Sequence, residues 1–196
     1  MVSAILLAAG ESRRMGSFKQ LLAFGGKTFV ECCVDNLLAS KAGEVVVVTG
    51  HRDADVRAAV GSRPVRFAHN ADYRAGMTSS IKIGISALSE QAHACLIALV
   101  DQPQVGINVI NLLIEEYLTG APLIVVPTYG GSRGHPIVLD LKLKAEIFQT
   151  DPSHGLRQVV NAHRDRTVSI EVPSQTVLFD FDTPEDCLRA SGQNDE

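Results

Sequence analysis

Short apolar runs alternate along this chain with segments in which apolar residues recur every three or four positions. One run contains four consecutive valines, Val45–Val48, which is typical of a parallel strand buried on both faces. The spaced segments predict amphipathic helices. The predicted strands are Val2–Leu7, Glu44–Thr49, Val65–Ala68, Ala94–Val100, Leu123–Pro127, Ile137–Leu139, Thr167–Val172 and Thr176–Phe179. The predicted helices are Phe29–Leu38, Asp53–Val60, Ser79–Leu88, Ile107–Leu118, Leu141–Phe148, Gly155–Ala162 and a final turn at Pro184–Arg189.

The order of these elements, strand followed by helix, repeats along most of the chain. Right-handed crossovers between parallel strands place helices on both faces of the sheet. We therefore predict an α/β fold with three layers, α/β/α, around a mostly parallel, Rossmann-like sheet. Residues 1–190 form one predicted domain, and the tail at 191–196 is expected to be disordered.

Composition narrows the class of protein. The chain has 196 residues, a net charge of −4 and 45% hydrophobic residues. Apart from one loop its Lys and Arg residues are scattered, which argues against a nucleic-acid partner, since such partners require a basic face. The four cysteines form no C-x-x-C pair, which indicates a reduced compartment.

The sequence also gives no indication of a membrane partner. No apolar run approaches the roughly 20 residues that span a bilayer. The apolar start at 2–9 has no basic residue before it and leads directly into a candidate ligand loop, so we do not interpret it as a signal peptide. We expect a cytoplasmic protein.

The loop after the first strand is the most informative segment. Gly10 breaks the apolar run, and Arg13, Arg14 and Lys19 follow within ten residues. A glycine turn at a strand end exposes backbone N–H groups that bind phosphates, and the three cations suit a triphosphate. The alternative is a solvated basic loop. The spacing excludes a Walker loop, because five residues separate Gly10 from Gly16 and Ser17 stands where that motif has lysine.

This loop resembles the signature L-A-[AG]-G-x-S-x-R-M-G-x-x-K-x-L of nucleotidyltransferases related to molybdenum-cofactor cytidylyl- and guanylyltransferases. Every fixed position is present, from Leu7 to Leu21. The resemblance implies the fold of nucleotide-diphospho-sugar transferases, with Arg14 and Lys19 as catalytic cations. It also implies nucleotide contacts from the whole loop, namely Leu7, Ala8, Ala9, Gly10, Arg13, Arg14 and Lys19.

Asp101 follows a second apolar strand, at Cys95–Val100. Ligands of open α/β sheets bind beyond the carboxyl ends of the strands, and a carboxylate there suits Mg²⁺. Asp also opens turns, which is the simpler interpretation. The family carries D-x-P at this point, so the resemblance makes Asp101 a catalytic residue and a ligand of Mg²⁺.

The late segment from Asp180 to Asp186 is acidic. A helix start explains its second half, with Thr183 as N-cap and Pro184 at the first helical position. It does not explain Asp180 and Asp182, which alternate at a predicted strand end. In sugar-activating relatives of this fold an Asp-Thr-Pro-Glu element supplies a metal ligand, so the resemblance implies Asp182 as the second ligand, with Asp180 as the alternative.

Two further segments match the family. Asn70 precedes Gly76, Ser79 and Ser80 in the pattern N-x₅-G-M-x-S-S, which implies contacts with the nucleotide. The alternative is that the serines cap a helix N-terminus.

The second matching segment is the R-G-H-P motif around His135, which the resemblance assigns to the acceptor. A lone histidine is more often structural. Arg157 is a further candidate contact with the acceptor phosphate, although the G-D-x-G-x-R motif of the relatives is altered around it.

The resemblance as a whole implies transfer of CMP from CTP to a phosphorylated acceptor, molybdopterin or molybdenum cofactor, with release of pyrophosphate. Alanine at position 9 accompanies cytidylyl transfer in the family, and glycine accompanies guanylyl transfer. The alternatives are guanylyl transfer from GTP, a sugar-phosphate acceptor, and a non-catalytic cofactor-delivery protein that docks to a molybdoenzyme.

Overall fold

The computed structural model describes residues 1–151 and 155–181 together with Asp186, and describes Arg14 by its backbone alone. Several predictions fall outside these residues. They concern Asp182, the turn at Pro184–Arg189 apart from Asp186, and the tail at 191–196.

The described residues form one eight-stranded sheet with a small separate hairpin. The strands are β1 (Val2–Leu7), β2 (Ala23–Phe24), β3 (Lys27–Thr28), β4 (Val45–Thr49), β5 (Arg66–His69), β6 (Ala94–Leu99), β7 (Ile124–Tyr129), β8 (Ser132–Arg133), β9 (Ile137–Asp140) and β10 (Thr167–Glu171). Their order in the sheet is β10-β7-β9-β6-β1-β4-β5, with β8 paired to β7 and the hairpin made by β2 and β3. The central strand β1 is parallel to both β4 and β6, whereas β9 is antiparallel to β6 and β7.

Helices cover the sheet on both faces. They are α1 (Phe29–Leu38), α2 (Asp53–Val60), α3 (Met77–Ser86), α4 (Ile107–Gly120), α5 (Lys144–Gln149) and α6 (Gly155–Ala162). One core contains the apolar faces of α1, α2 and α4, and a second contains those of α3, α5 and α6. The predicted three-layer, mostly parallel α/β fold is confirmed.

The alternation along β1 explains why one strand serves both cores. Ala4 and Leu6 pack into the first core, and Ile5 and Leu7 into the second. Because successive side chains of a strand point to opposite faces, a strand covered by helices on both sides is apolar at nearly every position. The polar exception in β1, Ser3, donates a hydrogen bond to the Glu44 carboxylate. All six residues of β1 are buried.

Most predicted elements are found within two residues of their predicted ends, but three predictions need correction. The predicted strand at Thr176–Phe179 is a 3₁₀ turn at Gln175–Leu178. The predicted helix at Leu141–Phe148 begins as a 3₁₀ turn and becomes α-helical only at Lys144. No strand is predicted between Pro127 and Ile137, yet this segment contains a short strand, β8, that pairs back onto β7.

A search of the described residues for a helix both long and apolar enough to span a membrane finds no candidate.

Candidate active site

A cavity of about 300 Å³ opens at the carboxyl ends of β1 and β6. The two strands are adjacent and in register, so that Leu7 lies opposite Leu99 and the loops that follow them meet. The predicted site residues that line the cavity are Leu7, Ala9, Gly10, Arg13, Lys19, Gly76, Ser80 and Asp101. The fold therefore brings together residues that are up to 94 positions apart in the sequence.

Gln20 braces the loop after β1. Its side-chain amide is buried and donates to the backbone carbonyls of Ala8, at 3.0 Å, and Gly10, at 2.9 Å. The Ser12 hydroxyl donates to the Gln20 side-chain oxygen and accepts from the backbone N–H of Lys19. The carbonyl of Ala9 accepts from the N–H of His51. These bonds fix the loop by its carbonyl groups and make Ala8 a backbone anchor.

The N–H groups of this loop remain available. Within the described part of the chain, the backbone N–H groups of Gly10, Glu11 and Ser12 donate no hydrogen bond. Ser12 holds the left-handed conformation with φ of 55°. Consecutive N–H groups around such a turn form a concave anion site.

Lys19 and Asp101 meet inside the cavity. The Lys19 ammonium Nζ lies 3.3 Å from Oδ2 of Asp101, and only 9% of the Lys19 side chain is exposed. The sequence predicts separate roles for these residues, one toward phosphate and one toward a metal. The structure shows that the two charges share one site, so that a ligand here meets a cation and an anion side by side.

The opposite wall comes from the start of α3. The Asn70 side-chain amide donates to the hydroxyls of Ser79, at 2.8 Å, and Ser80, at 2.9 Å. Asn70 is buried behind the wall, whereas Ser80 and Gly76 line the cavity. Asn70 therefore acts on this wall through the serine that it orients.

The capping interpretation of the two serines is wrong. The helix α3 begins at Met77, two residues earlier than predicted, with Gly76 at the N-cap position and no side-chain cap. The Ser79 hydroxyl donates to the backbone carbonyls of Asp72 and Gly76 and accepts from the Asn70 side chain, so it does not cap a backbone N–H of the helix.

The model of the family described as "MobA-like NTP transferase domain" matches residues 4–167 of the chain. This range contains the loop after β1, Asp101 and both walls of the cavity. The chain belongs to the MobA-like NTP transferase family. Members of this family use nucleoside triphosphates and phosphorylated acceptors, and the predicted family resemblance is confirmed.

Two relatives match nearly the whole chain. The molybdenum cofactor cytidylyltransferase of Escherichia coli K12 is 26% identical over 96% of this chain and 95% of its own. The nicotine blue oxidoreductase of Paenarthrobacter nicotinovorans is 31% identical over 96% of this chain and 95% of its own. The two relatives are named for different activities, although each matches this MobA-like chain over nearly its whole length.

Solved structures share the fold. A nucleotidyl transferase from Methanothermobacter thermautotroptrophicus superposes with a TM-score of 0.85 at 24% identity, covering 98% of this chain and 97% of its own. A Mycobacterium tuberculosis protein solved in complex with manganese has a TM-score of 0.82 at 23% identity, with 96% of both chains covered. Nucleotidyltransferases of this fold typically use divalent metals.

In this MobA-like chain the loop at Asp101 is bonded to the segment that leads to Asp182. The backbone N–H of Phe181 donates to the Asp101 carbonyl at 3.0 Å, and the Phe181 ring packs edge-on against Phe29. Gln102 donates to the Asp180 carboxylate at 2.8 Å. The sequence pattern places Asp180 and Asp182 in alternation at the end of a predicted strand. The segment before Asp180 is a 3₁₀ turn and not a strand, so this reason for choosing them as metal ligands is wrong. Among the described residues, no three His, Cys, Asp or Glu side chains form a metal cluster.

His135 lies in the loop before β9 and is not among the residues that line the cavity, although the charge of Asp101 acts on it. Burial lowers the pKa of the His135 imidazole below its usual value, and the negative charge of Asp101 acts in the opposite direction. Burial dominates, so the ring is neutral at neutral pH. The backbone N–H of His135 donates to the Val177 carbonyl at 2.9 Å, which holds the R-G-H-P loop against the 3₁₀ turn.

Gly134 is required by this contact. A Cβ atom built on Gly134 would lie 2.2 Å from the Val177 carbonyl oxygen, which is backbone and has little room to shift. We expect Gly134→Ala to lower the free energy of unfolding by about 1–3 kcal/mol, as overpacking does elsewhere. Denaturant unfolding tests this. Gly106→Ala is the control, because its Cβ would meet nothing within 4 Å, and an equal loss in both variants would contradict the steric reason.

Arg157 is exposed in the first turns of α6 and is not among the residues that line the cavity. The helix begins close by, since a Cβ on Gly155 would lie 3.6 Å from the Thr78 hydroxyl, and Thr78 precedes the wall formed by Ser80. The structure therefore does not bring Arg157 into the cavity.

Sequence reasoning missed several lining residues, namely Ser12, Gln20, Tyr73, Met77, Leu99 and Val100. Ser12 is a fixed position of the family pattern, so a signal for it was present. Met77 is 56% exposed and is likewise part of the matched G-M-x-S-S segment. Gln20 and Tyr73 had no signal, because their roles depend on contacts that only the folded chain makes.

Proposed function

We propose that this chain transfers CMP from CTP to a phosphorylated acceptor, molybdopterin or molybdenum cofactor, and releases pyrophosphate. An acceptor phosphate oxygen attacks the α-phosphorus of CTP, forming a new P–O bond. The bond between the α-phosphorus and its bridging oxygen breaks, and the electron pair leaves with pyrophosphate. The cytidylyltransferase relative, 26% identical over nearly the whole chain, supports this choice of reaction.

One observation carries the proposal. The free N–H groups of the loop at Gly10, the Lys19 ammonium and the Asp101 carboxylate converge on one cavity at the sheet edge. Phosphoryl and nucleotidyl transfer depend on positioning and charge stabilisation more than on covalent catalysis. A site with fixed donors and a largely buried ammonium supplies both.

The chain's cations act on the triphosphate. Lys19, held with 9% of its side chain exposed, neutralises charge close to the α-phosphate, where low solvent access strengthens the interaction. Arg14 is the second cation of the matched signature, and Arg13, which is largely exposed, also lines the cavity. Gly76 and Ser80 face the nucleotide from the opposite wall, with Ser80 oriented by Asn70.

The residues present suit a divalent cation. Asp101 is a carboxylate that lines the cavity, and Phe181, bonded to the Asp101 carbonyl, directly precedes Asp182 in the chain. We assign Mg²⁺ binding to Asp101 and Asp182. Asp180 is not assigned to the cation, because its carboxylate accepts a hydrogen bond from Gln102. When bound, the cation supplies charge neutralisation and alignment of phosphate oxygens.

No general base is required for this reaction. A phosphate monoester has a second pKa near about 6, so its oxygen is already ionised at neutral pH. We assign His135, which is neutral there, to donate a hydrogen bond to the acceptor without adding charge. Arg157, which is exposed, is assigned to the acceptor phosphate.

The choice of base is assigned to Ala9, which is buried and lines the cavity. Its methyl group reduces the room for a purine, so Ala9→Gly is expected to raise kcat/KM for GTP relative to CTP. One methyl-sized difference discriminates by about 1–3 kcal/mol, so the shift is about tenfold or more and not a complete reversal. Steady-state kinetics with both nucleotides measure it. An unchanged ratio, or a wild type that already prefers GTP, overturns the cytidylyl assignment.

The whole proposal is tested by incubating the protein and Mg²⁺ with each nucleoside triphosphate and each of two acceptors, molybdopterin and a sugar 1-phosphate. Pyrophosphate release that needs both CTP and molybdopterin supports it. Release with GTP, or with the sugar phosphate, supports the corresponding alternative. Binding of nucleotide without any release supports a delivery protein.

A further inference from the structure

A second cavity of about 250 Å³ adjoins the first and shares Gly10, Ser12, Arg13 and Tyr73 with it. Its remaining lining residues are Glu11 and Arg74. It therefore lies on the outer side of the loop after β1, away from Lys19 and Asp101. The proposed function uses only Arg13 of the charged groups here.

The Glu11 carboxylate bridges two arginines across this cavity. Its Oε2 lies 2.5 Å from Nε of Arg13, and its Oε1 lies 2.7 Å from Nε of Arg74. Only 15% of the Glu11 side chain is exposed, against 75% for Arg13 and 71% for Arg74. These two neighbours lower the pKa of Glu11 to about 2, so the carboxylate is ionised throughout the working range.

The bond between Glu11 and Arg74 links two segments that are 63 residues apart, the loop after β1 and the 3₁₀ turn at Tyr73–Ala75. Exposed ion pairs contribute little to stability on average, so fold stability alone is a weak reason for this arrangement. The arrangement resembles a phosphate site. The two oxygens of the Glu11 carboxylate accept from two guanidinium groups, as phosphate oxygens do, and the loop beside them has N–H groups that donate no other hydrogen bond among the described residues.

We propose that Glu11 occupies the place of the outer phosphates before nucleotide binds, and that Arg13 and Arg74 then pass from Glu11 to the β- and γ-phosphates, which leave as pyrophosphate. This inference rests on the proposed function. It adds Arg74 as a residue that binds the leaving group and Glu11 as a positioning residue that keeps both arginines over the outer cavity.

Glu11 either competes with phosphate or only fixes the loop, and the two interpretations predict opposite changes in pyrophosphate affinity when Glu11 is replaced by Gln. If Glu11 competes with phosphate, Glu11→Gln releases both arginines and removes a negative charge, so inorganic pyrophosphate binds about three- to tenfold more tightly. If Glu11 only fixes the loop, the same change loosens the arginines and pyrophosphate binds more weakly. Arg74→Ala is expected to weaken pyrophosphate and CTP about three- to tenfold and to leave CMP unchanged, because CMP lacks the outer phosphates.

Calorimetric titrations of pyrophosphate, CTP and CMP, at fixed Mg²⁺, test this. The controls are Glu115→Gln and Lys41→Ala, which break an exposed ion pair between α4 and the segment after α1 and leave all three affinities unchanged. A wild type that binds neither CTP nor pyrophosphate overturns the proposed function and this inference together. A wild type that binds both, with weaker pyrophosphate binding in Glu11→Gln or unchanged binding in Arg74→Ala, overturns this inference alone.

Discussion

Asp101→Asn is expected to lower turnover by about two orders of magnitude or more while the fold persists. The change keeps the size of the side chain and removes the charge proposed to bind Mg²⁺, and loss of one preorganised electrostatic contact costs about 10²–10³ in rate elsewhere. The site tolerates the change structurally, because the carbonyl that holds Phe181 belongs to the backbone and is retained. Turnover at saturating CTP and limiting Mg²⁺ is the measurement, with circular dichroism to verify folding.

Asp165→Asn provides the matched control, since Asp165 is an exposed aspartate in the 3₁₀ turn before β10. Turnover of this control should equal that of the wild type. Asp182→Asn should act like Asp101→Asn but less severely, as the second ligand. Near-normal turnover of Asp101→Asn at limiting Mg²⁺ would mean that Asp101 does not anchor the cation.

Lys19→Ala is expected to lower nucleotide affinity or turnover at least about tenfold, because contacts of charged groups with a triphosphate are worth about 1.5–3 kcal/mol. The ammonium lies in the cavity 3.3 Å from Asp101, so the variant also leaves that carboxylate without this partner. CTP titration and steady-state kinetics measure the two effects. Lys19→Met separates charge from packing, since it retains an unbranched apolar stem and should lose activity to a similar extent.

Lys41→Ala is the surface control for this pair of variants. Lys41 pairs with Glu115, and more than half of each side chain is exposed, so its loss should cost about 0–1 kcal/mol of stability and no activity. Equal losses of activity in Lys19→Ala and Lys41→Ala would contradict the placement of Lys19 on the triphosphate.

The sequence predicts the core of the fold because the buried faces of strands and helices require apolar residues at regular spacings. The strand Val2–Leu7 and the helices Phe29–Leu38 and Asp53–Val60 have the predicted bounds, since the strand is apolar except at Ser3 and each helix has an apolar stripe. The error at Thr176–Phe179 has a physical cause. Only Val177 of the turn at 175–178 is buried, and the segment is fixed by side-chain bonds from Gln102 and Gln104, which are distant in sequence.

The candidate site was predictable to the extent that motifs lie at strand ends. Gly10, Lys19 and Asp101 follow β1 and β6, and adjacent parallel strands present their carboxyl ends at one edge. The salt bridge between Lys19 and Asp101 was not predictable, because 82 residues separate them and only the register of β1 against β6 sets the distance. The bridge from Glu11 to Arg74 depends in the same way on tertiary contact.

Family membership does not decide which reaction the chain catalyses, since one relative is named a cytidylyltransferase and another an oxidoreductase. The most direct measurement follows radioactive phosphorus from CTP into the products, with the label in the α- or the γ-phosphate and molybdopterin as acceptor. We predict that α-label appears in the acceptor product and γ-label only in pyrophosphate. Transfer of γ-label to the acceptor, or consumption of the acceptor without loss of CTP, would contradict nucleotidyl transfer.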